Sequence, residues 1–229
     1  MDDESNDPMH PTAESAAPGM PDLSGNTPLV VIEFGRPEWQ SHLGGAFCGP
    51  EATGDIWWNW VSEQRCWCVL PELPRGTDFA IRLEAAPFAP YTAELRELVI
   101  KEEGGHTLLH RVLPCTQGEL ATSLRISGLQ SAIARNDPAG GIIASLVWRR
   151  VPAPSMRIEL NSIPLASLAY ETCPDLQIRE FLLRHELLEE RNILYFTPGF
   201  GIARSDLGDS TDERKLSFRL FRLLLFPLD

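Results

Sequence analysis

The first 27 residues contain no lysine and no arginine. They hold Asp2, Asp3, Glu4, Asp7, Glu14 and Asp22, which is half of the chain's formal net charge of -12. A basic start followed by an apolar stretch is missing there, so no secretory leader is expected. No run approaches about 18 uninterrupted apolar residues, which excludes a membrane-spanning helix. Clustered lysines and arginines are scarce throughout. Nucleic acid and anionic membrane surfaces are therefore poor partners, because both need phosphate charge neutralised. The cysteines, Cys48, Cys66, Cys68, Cys115 and Cys173, are odd in number and irregular in spacing. That excludes a disulfide framework and makes a reducing cytoplasm the expected compartment.

Catalytic signatures are also missing. The sequence has no Gly-x-Ser-x-Gly elbow and no glycine-rich phosphate loop, and no cysteine stands in a recognisable nucleophile context. Acid pairs such as Glu189-Glu190 or Asp206 and Asp209 are adjacent only in sequence, and carboxylate chemistry depends on separation in space. Cys66-x-Cys68 is too closely spaced for a typical structural zinc pair, and His106 and His110 flank a turn rather than a helix. Neither an enzyme nor a cofactor or metal is expected.

What is present is apolar material cut into short lengths. Hydrophobic residues make up 43% of the 229 positions, enough for a real core. Residues 1–27, rich in Asp, Glu, Ser, Pro and Gly, cannot offset the entropy of ordering and are expected to form a disordered acidic tail. From Pro28 onward, strand-length runs recur between Pro, Gly and Asn/Asp breaks: 28–34, 65–70, 79–85, 95–101, 107–113, 122–127, 142–149, 156–160, 165–170, 176–183, 191–196 and 215–226. Phe79, Ile81 and Leu83 alternate with Arg82 and Glu84, as a half-buried strand requires. Glu103-Gly104-Gly105 suits a hairpin turn between two of the runs. Helix is expected only in short pieces, at His185–Glu190 and, ambiguously, across Leu120–Arg135. The expected architecture is an all-β, antiparallel, jelly-roll-like β-sandwich over 28–229, with an insertion around 91–150. The C-terminal run from Leu216 to Phe226 is apolar on both faces and reads as a central strand. Its Arg219 and Arg222 would then lie near openings or be paired with acids.

Trp57, Trp58, Trp60 and Trp67 crowd a short stretch that also holds Asp55, Asn59 and Glu63. On a strand Trp58 and Trp60 share one face and Trp57 opposes them. Indoles stack on the C–H faces of sugars while neighbouring amides and carboxylates take the hydroxyls, so Trp57, Trp58, Asn59 and Trp60 are candidate ligand-binding residues. The same rings also suit core packing or a protein interface.

Two segments carry a family resemblance. Met156-Arg-Ile-Glu-Leu-Asn161-Ser-Ile-Pro-Leu165 looks like a strand, an Asn-Gly turn and a short return strand, with Ser162 in place of the glycine. Leu207-Gly208-Asp209-Ser210-Thr211-Asp212-Glu213-Arg214-Lys215-Leu216 is similar to a Leu-Gly-x-Ser-x-Asp-x-Arg-x-Leu signature. In both, the C-terminal third resembles a β-sandwich accessory domain attached to bacterial glycosyltransferases of polysaccharide biosynthesis. Trp60 and the Leu83–Phe88 stretch echo its first half, while residues 90–151 have no counterpart. The resemblance implies a non-catalytic, carbohydrate-associated module with a glycan and a glycosyltransferase as partners. Asp212 and Arg214 are added to the candidate ligand residues, although their spacing equally suits a lock on the approach to the last strand. The alternative is a structural sandwich that docks to a partner or self-associates, and a glycan-active enzyme on a β scaffold ranks third.

Overall fold

The computed structural model describes residues 20–88, 94–101, 107–115, 145–150, 153–207 and 211–228, with 94–150 described by strand pairing alone. It is an all-β, antiparallel structure, as the alternating pattern requires. The strands are β1 (Val30–Glu33), β2 (Leu43–Thr53), β3 (Ile56–Val69), β4 (Asp78–Pro87), β5 (Glu94–Lys101), β6 (Thr107–Cys115), β7 (Ser145–Arg150), β8 (Ser155–Leu160), β9 (Ile163–Ala169), β10 (Gln177–Leu183), β11 (Ile193–Pro198), β12 (Ile202–Ala203) and β13 (Lys215–Leu228). The chain divides into two compact units: residues 1–89, 153–201 and 216–229 in one, 90–152 and 202–215 in the other.

In the first unit the strands run β10-β4-β13-β3-β11-β8-β9, with β1 added to β13 and β2 to β3. The sheet curls until its outermost strands approach each other. Arg179 on β10 seals the gap by donating from Nε to the Ala169 carbonyl at 2.7 Å. The curl encloses one apolar interior. Phe79, Ile81 and Leu83 from β4 are fully buried there, as are Val61, Cys66 and Cys68 from β3, Ile158 and Leu160 from β8, and Leu194 and Phe196 from β11. Burying each large side chain contributes about 1.5–3 kcal/mol. Arg82 and Glu84 lie on the opposite face, paired with Glu180 and Arg222.

β13 is the central strand expected from its apolar faces, and it pairs with β4 along nearly its whole length. Strict alternation would place Phe218, Leu220, Arg222 and Leu224 together. The register instead slips between Leu220 and Arg222. Past this bulge Leu223 and Leu225 come round to the face of Phe218 and Leu220, and all four are fully buried. A bulge inserts one residue and re-aims those that follow, which period-two counting cannot anticipate.

Three further differences have local causes. β2 was not expected, because its Gly-Gly-Ala-Phe-Cys-Gly-Pro sequence has poor strand propensity. It pairs with β3 through two register shifts, with Gly45 and Gly49 at positive φ. The expected tail boundary at Thr27 moves back, because Leu23 is 4% exposed and packs on Ala80 and Phe226. The helix expected at His185–Glu190 shrinks to a 3-10 turn, His185–Leu187. Its backbone is held from below by Asp78, whose carboxylate accepts from the His185 amide at 2.8 Å, His185 Nδ1 at 2.7 Å and Arg184 at 2.7 Å. The Leu120–Arg135, 122–127 and Glu103–Gly105 readings lie outside the described residues.

In the second unit the sheet order is β6-β5-β7. β5 and β6 form the antiparallel pair expected around Glu103–Gly105. After β12 comes a single helical turn, Arg204–Leu207, before the Asp212–Lys215 segment.

The β8–β9 hairpin turns on Asn161 and Ser162, with φ of 50° and 72°. Both central residues are left-handed, as a tight primed hairpin turn demands. Serine is strained there by about 1–2 kcal/mol, and glycine's greater unfolded-state entropy offsets only part of that. Ser162→Gly is expected to raise stability by about 0.5–1 kcal/mol in urea unfolding. The exposed Arg65–Ser162 bond lost with the hydroxyl subtracts little. The hydrogen bonds from His185 and Arg184 hold the Asp78 carboxyl well below the usual carboxylate range. Its contribution is present above the unfolded-state value near about 3.9 and is lost as pH falls through the folded-state value. Asp78→Asn should therefore flatten the acid limb of the stability profile, measured by denaturant midpoints between pH 2 and pH 6.

Candidate functional site

The β2–β3 hairpin closes through Gly54 and Asp55, with Thr53 opposite Ile56. Gly54 takes φ 56°, which suits a two-residue turn. The turn carries Asp55, Ile56 and Trp57 out past the point where β3 leaves β13. β3 pairs with β13 only as far as Asn59 opposite Leu220. Beyond the Phe221 bulge the same edge of β13 is taken by β1, with Glu33 opposite Arg222. The change of partner leaves a cleft of about 290 Å³, lined by Glu33, Asp55, Ile56, Trp57, Glu84, Leu176, Phe221 and Arg222.

Its floor is organised by one ion pair. Glu84, 5% exposed, receives Arg222 Nε at 2.7 Å and Nη2 at 3.0 Å. A bidentate pair of this kind fixes both planes. Glu33 is held by Arg36 at 3.2 Å, and the Arg36 guanidinium lies 5.4 Å from the Trp57 ring centre. Gly35 makes this possible. It takes φ 118°, and a Cβ there would stand 2.6–2.9 Å from the Trp58 backbone. Asp55 is exposed at the turn and has no ion pair or hydrogen bond among the described residues.

The candidate residues from the sequence separate. Trp57 lines the cleft. Trp58 and Trp60 do share the other face, where they surround Arg219. Its guanidinium lies 5.9 Å from the Trp58 ring, 5.7 Å from Trp60 and 5.6 Å from Phe221. Trp60 also packs edge-on against Phe88 at 5.5 Å and donates from Nε1 to Glu51 at 2.9 Å. Arg219 donates to the Pro174 carbonyl at 2.7 Å. Burial lowers its pKa, and the Asp175 and Glu51 carboxylates work against that shift. These two indoles thus flank a partly buried cation. Asn59 faces inward, 1% exposed, and donates to Gln40 at 3.3 Å.

Trp67 stands ten residues beyond Trp57 on β3, roughly 30 Å away at strand rise. Its indole lies over Gly44, where any Cβ would overlap the ring. Asp212 and Arg214 pair with each other. Asp212 Oδ1 accepts from the Arg214 amide at 3.0 Å, and Oδ2 accepts from Nη2 at 2.8 Å. These bonds lower the Asp212 pKa. The Asp212 carbonyl also accepts from the Ser205 amide at 2.9 Å. These bonds close a local turn just before β13.

Burial pushes the Cys68 thiol up to about 12 and Cys66 well above its usual value, so both are inert core groups. Among the described residues no three His, Cys, Asp or Glu side chains gather as a metal site. His106 lies outside the described residues, as does the side chain of His110. Sequence reading missed Glu33, Glu84, Phe221 and Arg222 as cleft residues. The available signal was weak: charged residues inside otherwise apolar runs.

No family model matches the chain, and no curated protein matches it. Among solved structures, an adhesin domain of Lys-gingipain from Porphyromonas gingivalis aligns over 90% of this chain and 96% of its own, at 9% identity and a TM-score of 0.27. A likeness this slight carries no argument about fold or function. No helix among the described residues is long and apolar enough to cross a membrane.

Because Glu84 is nearly buried at the cleft floor and the Arg222 side chain is 48% exposed, the two halves of their pair are unequal. Arg222→Met strands a buried carboxylate and should cost about 3–5 kcal/mol. Glu84→Gln leaves an arginine that water can solvate and should cost about 1–2 kcal/mol. Urea unfolding of both variants at pH 7 checks the order.

Proposed function

We propose that this chain is a non-catalytic carbohydrate-binding module whose ligand site is the Trp57 cleft. The observation that carries this reading is the cleft itself, with Trp57, Ile56 and Phe221 for apolar contact and Asp55 and Glu33 for hydroxyls. Small-ligand sites have this composition: a mainly apolar wall with a few placed polar groups. The module serves as an accessory to a polysaccharide-building enzyme, such as a bacterial glycosyltransferase, in the cytoplasm. The β8–β9 hairpin and the Asp212/Arg214 turn, which carry the family resemblance, support that context.

A binding role is favoured over catalysis by the state of the carboxylates. Glu84 and Glu33 are paired with arginines. That leaves Asp55 as the one lining carboxylate with no partner among the described residues, and gives it no second free acid with which to share acid and base roles. A second reading, docking of a protein partner or a second copy, has one observation in its favour. Leu29 and Val31 are 52% and 39% exposed beside a shallow groove that also includes Trp39, Pro71 and Pro74.

Titration with neutral, acidic and amino oligosaccharides, followed by tryptophan fluorescence and calorimetry, tests the binding role. At least one class should bind, and Trp57→Ala should weaken it by about 10-fold or more while Trp67→Ala leaves it intact. If fluorescence and heat stay flat across all three classes, the proposal fails. Light scattering that finds only monomer would remove self-association.

A further inference from the structure

We infer that the group this cleft selects is a protonated amine, so that its preferred glycan carries a de-N-acetylated amino sugar. The inference rests on the carbohydrate reading of the same site and adds the charge of the ligand. Three carboxylates, Glu33, Asp55 and Glu84, and one guanidinium, Arg222, line the cleft. Arg222 is consumed by its bidentate pair with Glu84. Glu33 is shared with Arg36 outside the lining, and both side chains are more than a third exposed. That pair is therefore a loose one. Asp55 carries the uncommitted negative charge and stands on the hairpin turn two residues before Trp57.

A carboxylate beside an indole is the combination that recognises an ammonium. The carboxylate gives a charge-assisted hydrogen bond and the ring adds its quadrupole. The geometry is compatible with this, because the Arg36 guanidinium already lies 5.4 Å from the Trp57 centre while paired with Glu33. By the same account the cleft repels uronic acids and phosphorylated sugars. Their anionic groups would meet Asp55 and Glu33 with Arg222 already engaged.

The experiment compares a glucosamine tetramer with its fully N-acetylated counterpart and with a uronic-acid oligomer of the same length, by calorimetry on the full chain. The glucosamine tetramer should bind about 10-fold more tightly than the acetylated one at low salt, a difference near 1.4 kcal/mol. Raising salt should narrow that ratio, because the site is open and screened. Asp55→Asn should erase the preference, because the glucosamine tetramer loses its ammonium partner and falls to the affinity of the acetylated one. Binding of the acetylated tetramer itself drops by the smaller amount that a lost hydroxyl contact costs. Asp55 sits on an exposed turn, so folding is not at stake. Equal or tighter binding of the acetylated or uronic oligomer overturns the amine assignment but leaves the carbohydrate reading standing. Absence of binding by all three overturns both.

Discussion

The geometry of the first unit depends on the handover along one edge of β13. This strand pairs with β4 on one side from Phe218 to Leu228, but on the other it serves two partners in succession: β3 from Leu216 to Leu220, and β1 from Arg222 to Leu225. The bulge between them keeps Leu223 and Leu225 in the interior with Phe218 and Leu220. Without it, the second half of the strand would turn its aliphatic side chains outward and bring Arg222 in. The bulge also opens the sheet where β3 departs and β1 has not yet begun. Core and cleft therefore follow from one local irregularity, as bulges beside functional sites often do.

The outer faces of the sheet manage charge in a consistent way. Arg82 meets Glu180, Arg222 meets Glu84, and Arg65 meets Glu159 at 2.7 Å while lying 3.7 Å from the Tyr195 ring centre. Each guanidinium is spread over an acid or an aromatic face. Arg219 is the exception in kind, since aromatic rings and a carbonyl hold it and, among the described residues, no carboxylate bonds to it directly. This explains why a tryptophan-rich strand does not make a tryptophan platform. Trp58 and Trp60 are engaged with Arg219, Trp67 covers Gly44, and Trp57 alone of the four reaches the cleft. The carbohydrate proposal thus narrows from a cluster of rings to one indole with the carboxylates of a hairpin turn.

Much of the backbone was legible. Phe79, Ile81 and Leu83 against Arg82 and Glu84 gave the burial of β4. The turn at Asn161-Ser162 gave a hairpin, and the apolar run from Leu216 gave a central strand. β2 was not legible, because its glycines weaken any strand signal and its pairing is rescued only by contact with β3. The ordered stretch around Leu23 was not legible either, since one leucine in a polar, proline-rich segment carries no period. In the candidate site, Trp57 was legible as an aromatic in a polar setting. Its partners Glu33, Glu84, Phe221 and Arg222 come from three other strands, and local pattern says nothing of which strands meet.

By itself the sequence determined the all-β character, the antiparallel pairing of neighbouring runs and the inward face of most strands. Those features arise from alternation and turn chemistry within a few residues. The tertiary structure alone decided where β13 slips register, which edge β1 occupies, and that Arg219 would sit between two tryptophans. These are long-range choices set by how side chains far apart in the chain fill a shared interior, and a period counted along the chain holds no trace of them.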